Sequence, residues 1–167
     1  MRFRSEVRWT SDLIDERINI YIGLLRGGVA FLAANPNPTR QEFRAYVERL
    51  KLPQHYPGIQ GIGFAKRVRP EEKNALIQTL QAQGDTGFEI RPPGNREEYF
   101  PILFLYPLDE RNQHAIGYDM FSEPVRHEAM ARARDAGQSV ASGKVTLVQE
   151  IYEQKQAGFL IYLPAYR

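Results

Sequence analysis

The chain contains no cysteine among its 167 residues. That absence excludes a disulfide scaffold, a thiol nucleophile, an iron–sulfur cluster and thiolate-bound zinc. Histidine is scarce as well. His55, His114 and His127 are the only three, none spaced like a ligand pair, so the sequence predicts no metal site and no cofactor. Neither sign of charge dominates: 22 Lys and Arg face 20 Asp and Glu, for a net +2. Without a long basic run, nucleic acid is not an expected partner. Long apolar runs are missing too. The longest, Gly27 to Ala34, falls far short of the roughly 20 residues that span a bilayer, and no signal-peptide pattern opens the chain. The chain as given reads as a soluble body, which leaves open whether it belongs to a membrane protein.

What is present is the composition of a folded domain, 43% hydrophobic and 25% charged, with a length that suits one compact domain or one domain with an added helix. The first third reads as helix. Ile14, Ile18, Tyr21, Leu25 and Leu32 fall near one stripe, and Leu13, Ile20, Leu24 and Phe31 form a second. Two stripes exceed what one core needs, so either a partner covers one or the helix lies deep in a groove of its own domain. Asn35-Pro36-Asn37-Pro38 breaks the pattern, and Thr39 with Glu42 forms a capping box for a short helix carrying Phe43, Tyr46, Val47 and Leu50.

From Ile59 the period changes. Ile59 to Val68 reads as a strand, Arg69-Pro70-Glu71-Glu72 opens a helix ending near Gly84, and Phe88 to Arg91 is a short strand. Phe100 to Leu108 is apolar at both parities, with Ile102, Phe104 and Tyr106 on one face and Leu103 and Leu105 on the other, which predicts a strand covered on both sides. Asp109 to Gln113 reads as a turn and Ala115 to Asp119 as a strand. Ser122 is the expected N-cap of a helix with Pro124 in its first turn and its end at Gly137. Lys144 to Tyr152 and Phe159 to Tyr166 form a hairpin. The expected fold is α+β, a mostly antiparallel sheet behind one or two N-terminal helices, divided at residues 1–52 and 53–167.

No catalytic constellation is present: there is no Gly-x-Ser-x-Gly elbow, phosphate loop or His-Glu-x-x-His pair. Gly61 and Gly63 read as close backbone packing against a neighbouring helix rather than as a dinucleotide loop. Asp119 could pair with Asp109 or Glu123 as an acid–base couple, against the ordinary reading of turn and cap carboxylates. Arg126 stands out. It falls in a helical first turn, where a cation opposes the dipole by about 0.3–1 kcal/mol. Beside free backbone N–H groups such a cation makes an anion-friendly spot, unless Glu123 or Glu128 simply neutralises it.

Several stretches, taken in order, resemble CHASE domains, extracytoplasmic sensory modules of membrane-bound histidine kinases and nucleotide cyclases. They are Tyr56-Pro-Gly-Ile-Gln-Gly-Ile-Gly-Phe64, Arg96-Glu-Glu-Tyr-Phe-Pro101, Ile116-Gly-Tyr-Asp-Met120, Met130-Ala-Arg-Ala-Arg-Asp-Ala-Gly137, Leu147-Val-Gln149 and Gly158-Phe-Leu-Ile-Tyr-Leu-Pro-Ala-Tyr166. The resemblance covers Phe43 to Tyr166. It implies a long N-terminal helix leading into a PAS-like antiparallel sheet with a ligand pocket on one face, and a parent anchored in the inner membrane by segments outside this chain. In plant cytokinin receptors an acidic residue just after the Asp-Met segment contacts the ligand. By count that position is Arg126 here, which argues against cytokinin and for an anionic ligand. The same count puts pocket positions at Met120, Ser142 and Val148, and Tyr162 matches a further one after allowing for the longer hairpin here. Tyr106 is added from the strand pattern.

The sequence reading is therefore a non-enzymatic, periplasmic small-molecule sensor domain of a histidine kinase or diguanylate cyclase type receptor, with a homodimer through the N-terminal helix. The competing reading is a ligand-free structural or dimerisation module, whose pocket is filled by its own side chains. A small hydrolase using Asp119 is the third.

Overall fold

The computed structural model describes residues 2–147 and 157–166, with side chains from Val7 onward. Helix α1 (Arg2–Ala34) runs 33 residues, about 50 Å. The fates of its apolar residues divide along its axis rather than around it. Val7, Trp9, Leu13, Ile14 and Ile20 are exposed, whereas Leu24 is buried and Leu25 and Phe31 pack on the core. Tyr21 ties this second half down by donating its hydroxyl to the Pro57 carbonyl at 2.7 Å. An 18-residue window within Val7–Ala34 has mean hydropathy 1.2, long and apolar enough to cross a membrane by length and composition. Counting only uninterrupted apolar residues missed it, because Arg26 interrupts the run without ending the helix. The part packed on the core, from Tyr21 to Phe31, makes protein contacts.

Asn35 to Pro38 ends α1, and Thr39 caps α2 (Arg40–Leu50) as the sequence indicates. The Thr39 hydroxyl accepts from the Glu42 N–H at 3.2 Å, and the Glu42 carboxylate accepts from the Thr39 N–H at 2.8 Å. α2 buries Phe43 and Val47. Phe31 stacks on Tyr46 at 4.6 Å and Phe43 on Phe104 at 5.3 Å, so aromatic faces join both helices to the sheet. A one-turn helix α3 (Leu52–His55) follows.

Strand β1 (Ile62–Ala65) pairs antiparallel with β2 (Ile102–Tyr106), and the pairing continues as an isolated bridge at Val68 and Tyr99. Between them lies α4 (Lys73–Ala82), entered through a 3₁₀ turn at Pro70–Glu72. β2 is buried on both faces, as its composition predicts, but the alternation is not the simple one. Phe64 faces Phe104 while Ala65 faces Ile102, so Leu103 is an extra residue on β2. Such a bulge moves the residues before it to the opposite face. Ile102 consequently joins Leu105, Ala115 and Met120 in one core, while Leu103 joins Phe104 in the other with Phe43, Ile62 and Val68.

Gly63 approaches this sheet partner and not a helix, whereas Gly61 lies against both β2 and Asn112 of the short helix Glu110–Gln113. A Cβ on Gly63 would stand 2.8 Å from the Phe104 carbonyl oxygen. Ala115 to Asp119 is a turn rather than the expected strand. Gly117 adopts φ +81, and a Cβ there would lie 2.1 Å from the Glu89 carbonyl oxygen, a conformation and a fit that only glycine meets. Arg91 and Asp119 keep single bridges, to Tyr118 and Pro101 respectively. Asp109 to Gln113 is tighter than a simple turn: Asp109 caps a short helix α5 (Glu110–Gln113), accepting from the Asn112 N–H at 2.8 Å.

Helix α6 (Pro124–Ala136) ends at Gly137 in the left-handed region, as read from the sequence. Two further antiparallel pairs complete the body, β3 (Val140–Ala141) with β6 (Ile161–Tyr162) and β4 (Val145–Thr146) with β5 (Ala157–Gly158). The β4–β5 pair falls where the C-terminal hairpin is expected, but β5 precedes the expected strand start at Phe159 and β3 the expected start at Lys144; residues 148–156 lie outside the described residues. The fold is α+β, with every named strand pair antiparallel and the sheet in three two-stranded pieces.

Candidate functional site

The N-terminus of α6 is built by a residue other than the one its sequence suggests. Glu123, not Ser122, is the N-cap: its two carboxylate oxygens accept from the Val125 and Arg126 N–H groups, each at 3.0 Å. Ser122 turns back instead and donates to the Asp119 carbonyl at 2.6 Å. A carboxylate in this place satisfies orphan N–H groups and favours the positive end of the helix dipole. The same Glu123 oxygen that caps Arg126 also faces its Nη1 at 3.3 Å. The cation that stood against the dipole is therefore neutralised by the cap itself.

Arg126 is 3% exposed. Besides Glu123, it donates from Nη2 to the Thr146 carbonyl of β4 at 2.8 Å. Its guanidinium carbon lies 5.4 Å from the centre of the Tyr118 ring, a cation–π contact. The remaining donor, Nε–H, is buried and has no hydrogen-bond partner among the described residues. The Tyr162 hydroxyl is in the same condition. Burial pushes the Tyr162 pKa above the ordinary tyrosine value; the Arg126 charge opposes that rise and Glu123 and Tyr118 add to it. The hydroxyl is thus a neutral O–H, able to donate. Two buried donors with unmet bonds, set within electrostatic reach of one another, are costly unless something accepts from them.

The other sequence-predicted positions fall as follows. Met120 is buried in the core cluster with Ile102 and Leu105, against which Tyr118 and Tyr162 pack. The Ser142 hydroxyl has its only hydrogen committed: it donates to the Gly143 carbonyl at 2.7 Å and accepts from the Leu160 N–H at 3.0 Å. It staples the chain beside β3 to the segment leading into β6. Tyr106 lies on the opposite side of β2, packed on the Phe43 cluster, and donates to the Glu48 carboxylate at 2.9 Å. Val148 lies outside the described residues. The structure thus gathers Arg126, Met120 and Tyr162 and sets Tyr106 apart. Tyr118 and the Thr146 carbonyl join the group. Tyr118 could have been noticed from the Gly-Tyr-Asp-Met stretch, but no side-chain pattern announces a backbone carbonyl.

Asp119 is not an acid–base partner for Asp109 or Glu123. It is fully buried, accepts from the Phe100 N–H at 2.7 Å and the Phe121 N–H at 3.1 Å, and faces Arg96 Nη1 at 3.3 Å. It locks the turn before α6 onto the start of β2. Among the described residues no cluster of His, Asp and Glu could hold a metal ion. A groove of about 990 Å³ lies nearby, with Tyr162 and Met130 in its wall but not Arg126.

Comparison with known proteins agrees with the residue patterns. The hybrid signal transduction histidine kinase A of Dictyostelium discoideum is 26% identical over 117 residues, 64% of this chain and 5% of that protein. The chain therefore spans a small part of that relative's length. The family model for the CHASE domain matches residues 36–167, from the turn before α2 onward. On that match, the chain belongs to the CHASE domain family, a sensor domain of histidine kinases and cyclases.

Proposed function

We propose that this domain is the extracytoplasmic, non-catalytic, ligand-sensing part of a membrane-anchored receptor of the histidine kinase or diguanylate cyclase type. Its ligand is a small molecule with an anionic or carbonyl group, taken up beside Arg126 and Tyr162. The observation that carries this reading is the pair of buried donors without partners among the described residues, Arg126 Nε–H and Tyr162 O–H. A carboxylate accepting from both gains charge-assisted hydrogen bonds in a buried site. Met120 and Tyr118 supply apolar contact for the rest of the ligand. Entry requires β6 or the Thr146 end of β4 to move, and a ligand that prefers the opened arrangement shifts the balance between the two. The signal would leave through α1 and the C-terminal segment. A second copy of the chain covering the exposed Val7, Trp9, Leu13 and Ile14 of α1 fits the same scheme, and sedimentation at rising concentration tests it: a monomer at high micromolar concentration refutes the dimer.

One observation favours the second reading, a ligand-free spacing module: Glu123 and the Thr146 carbonyl already occupy the guanidinium's Nη groups. Thermal-shift titration with carboxylates, phosphates, amino acids and purines separates the two, run on the wild type, Arg126→Gln and Tyr162→Phe. The sensor reading expects at least one stabilising compound whose effect is lost in both variants. No stabilising compound, or one that stabilises the variants equally, leaves the spacing module.

A further inference from the structure

We propose that the groove between α1 and the C-terminal segment is a second binding site, separate from Arg126, for a medium-chain carboxylate or a similar anionic amphiphile. Its volume is about 990 Å³, at the upper end of what ligand sites occupy. The α1 wall is formed by Leu25, Gly28, Val29 and Leu32. That is one helical face at i, i+3, i+4 and i+7, about 10 Å long. Gly28 lowers the wall in its middle. Phe64 of β1, Leu76 of α4 and Leu163 after β6 close the other sides. Such a trough suits an unbranched apolar chain.

The polar lining has one sign in excess. Its charged members are Lys66, Arg67, Arg69, Arg134 and a lone acid, Glu72. Arg67 and Arg134 share Glu98, at 2.6 and 3.1 Å, and Arg134 also pairs with Asp135 at 2.8 Å. Arg69 is held by Glu72 at 2.9 Å and Glu71 at 3.3 Å. Lys66, directly after β1, is half-buried; its charge acts on Glu72, but it closes no ion pair within 4 Å among the described residues. The groove therefore offers an apolar wall with an ammonium at its edge that is free to take a direct anionic partner, the pairing that favours an anionic head on an apolar tail. A purely apolar peptide or a neutral lipid supplies no such partner. Tyr162 borders both sites, but Arg126 lines only the first, so Arg126→Gln tells the two apart.

The test is calorimetric titration of the domain with decanoate and with decanol, below the concentration at which decanoate forms micelles. Decanoate is expected to bind with a negative heat-capacity change, the mark of apolar burial. Decanol and the Lys66→Glu variant should each bind about tenfold more weakly, the loss of one charged hydrogen bond. Val29→Trp, which fills the trough from a partly exposed helix position, should abolish binding while leaving the circular dichroism spectrum and thermal midpoint intact. Arg126→Gln should bind decanoate like the wild type. Equal affinity for decanoate and decanol, or no effect of Val29→Trp, overturns the proposal. So does loss of binding in Arg126→Gln with none in Lys66→Glu, which puts the ligand at the other site. Binding that fades as protein concentration rises, with dimer appearing in sedimentation, shows the trough covered by a second copy and also overturns it.

Discussion

Removing the Glu123 side chain takes away three interactions at once, and their sum can be worked from the structure. Glu123→Ala deletes the N-cap of α6, two bonds of 3.0 Å to Val125 and Arg126. Loss of such a cap costs about 1 kcal/mol. It also leaves the buried Arg126 guanidinium without its carboxylate at 3.3 Å. Breaking a fully buried ion pair costs about 3–5 kcal/mol. Glu123 is 29% exposed along its side chain, and Thr146 and Tyr118 still hold the cation, so about 1–2 kcal/mol is the fair share here. The total, about 2–3 kcal/mol, corresponds to a fall of about 5–10 °C in Tm for a domain of this size. Urea denaturation followed by circular dichroism measures it. Glu123→Gln, which keeps a capping oxygen and loses the charge, should fall between the wild type and Glu123→Ala. Glu128→Ala should leave the midpoint unchanged, since among the described residues Glu128 pairs only with exposed Arg132, at 3.8 Å. Sodium acetate, compared with sodium chloride at equal ionic strength, should stabilise Glu123→Ala more than the wild type by re-supplying a carboxylate. A loss below about 0.5 kcal/mol in Glu123→Ala refutes the account of how Arg126 is kept buried.

Further outcomes follow from other parts of the fold. Asp119→Ala leaves Arg96 unpaired and frees the Phe100 and Phe121 N–H groups, so it should cost about 3–5 kcal/mol in urea denaturation, with Asp119→Asn costing less. Gly117→Ala must force a Cβ toward the Glu89 carbonyl at positive φ. A loss of at least about 2 kcal/mol is expected, and a neutral result would mean that the 115–119 turn is formed differently. Glu72 has its pKa lowered from 4.5 to about 2, first by its hydrogen bond to the Arg69 side chain and then by that to the Arg69 backbone N–H. A carboxyl whose folded pKa is depressed lends stability above its unfolded pKa and loses it as pH falls toward the folded value, here between about 4.5 and 2. A carboxyl-detected NMR titration should place the Glu72 midpoint near 2, and Arg69→Ala should return it most of the way to the ordinary range.

The sequence was most informative where structure is decided locally. The Thr39–Glu42 capping box, the stop at Gly137 and the two-sided burial of β2 need only a few neighbouring residues to be specified, and each stands in the structure as read. It was least informative where the outcome depends on groups the fold brings together. Ser122 is the better intrinsic cap, but Glu123 takes the role, its carboxylate reaching the buried Arg126 guanidinium as well as the helix N–H groups. The face assignment of β2 failed at one residue, since a bulge at Leu103 is imposed by pairing with β1 and leaves no mark in the hydrophobic alternation. Tyr106 was assigned to the site on that alternation, and it lies across the strand from Arg126.

By itself the sequence determined the class of the fold, the family to which residues 36–167 belong and the singular position of Arg126, because capping, periodicity and motif order are properties of neighbouring residues. Only the tertiary structure decided that α1 divides into a packed half and an exposed half, and that the Arg126 guanidinium meets the Thr146 carbonyl and the Tyr118 ring. It alone revealed an apolar groove with Lys66 in its lining. Those features depend on which surfaces meet once chain entropy has been overcome, and no window of neighbouring residues contains that information.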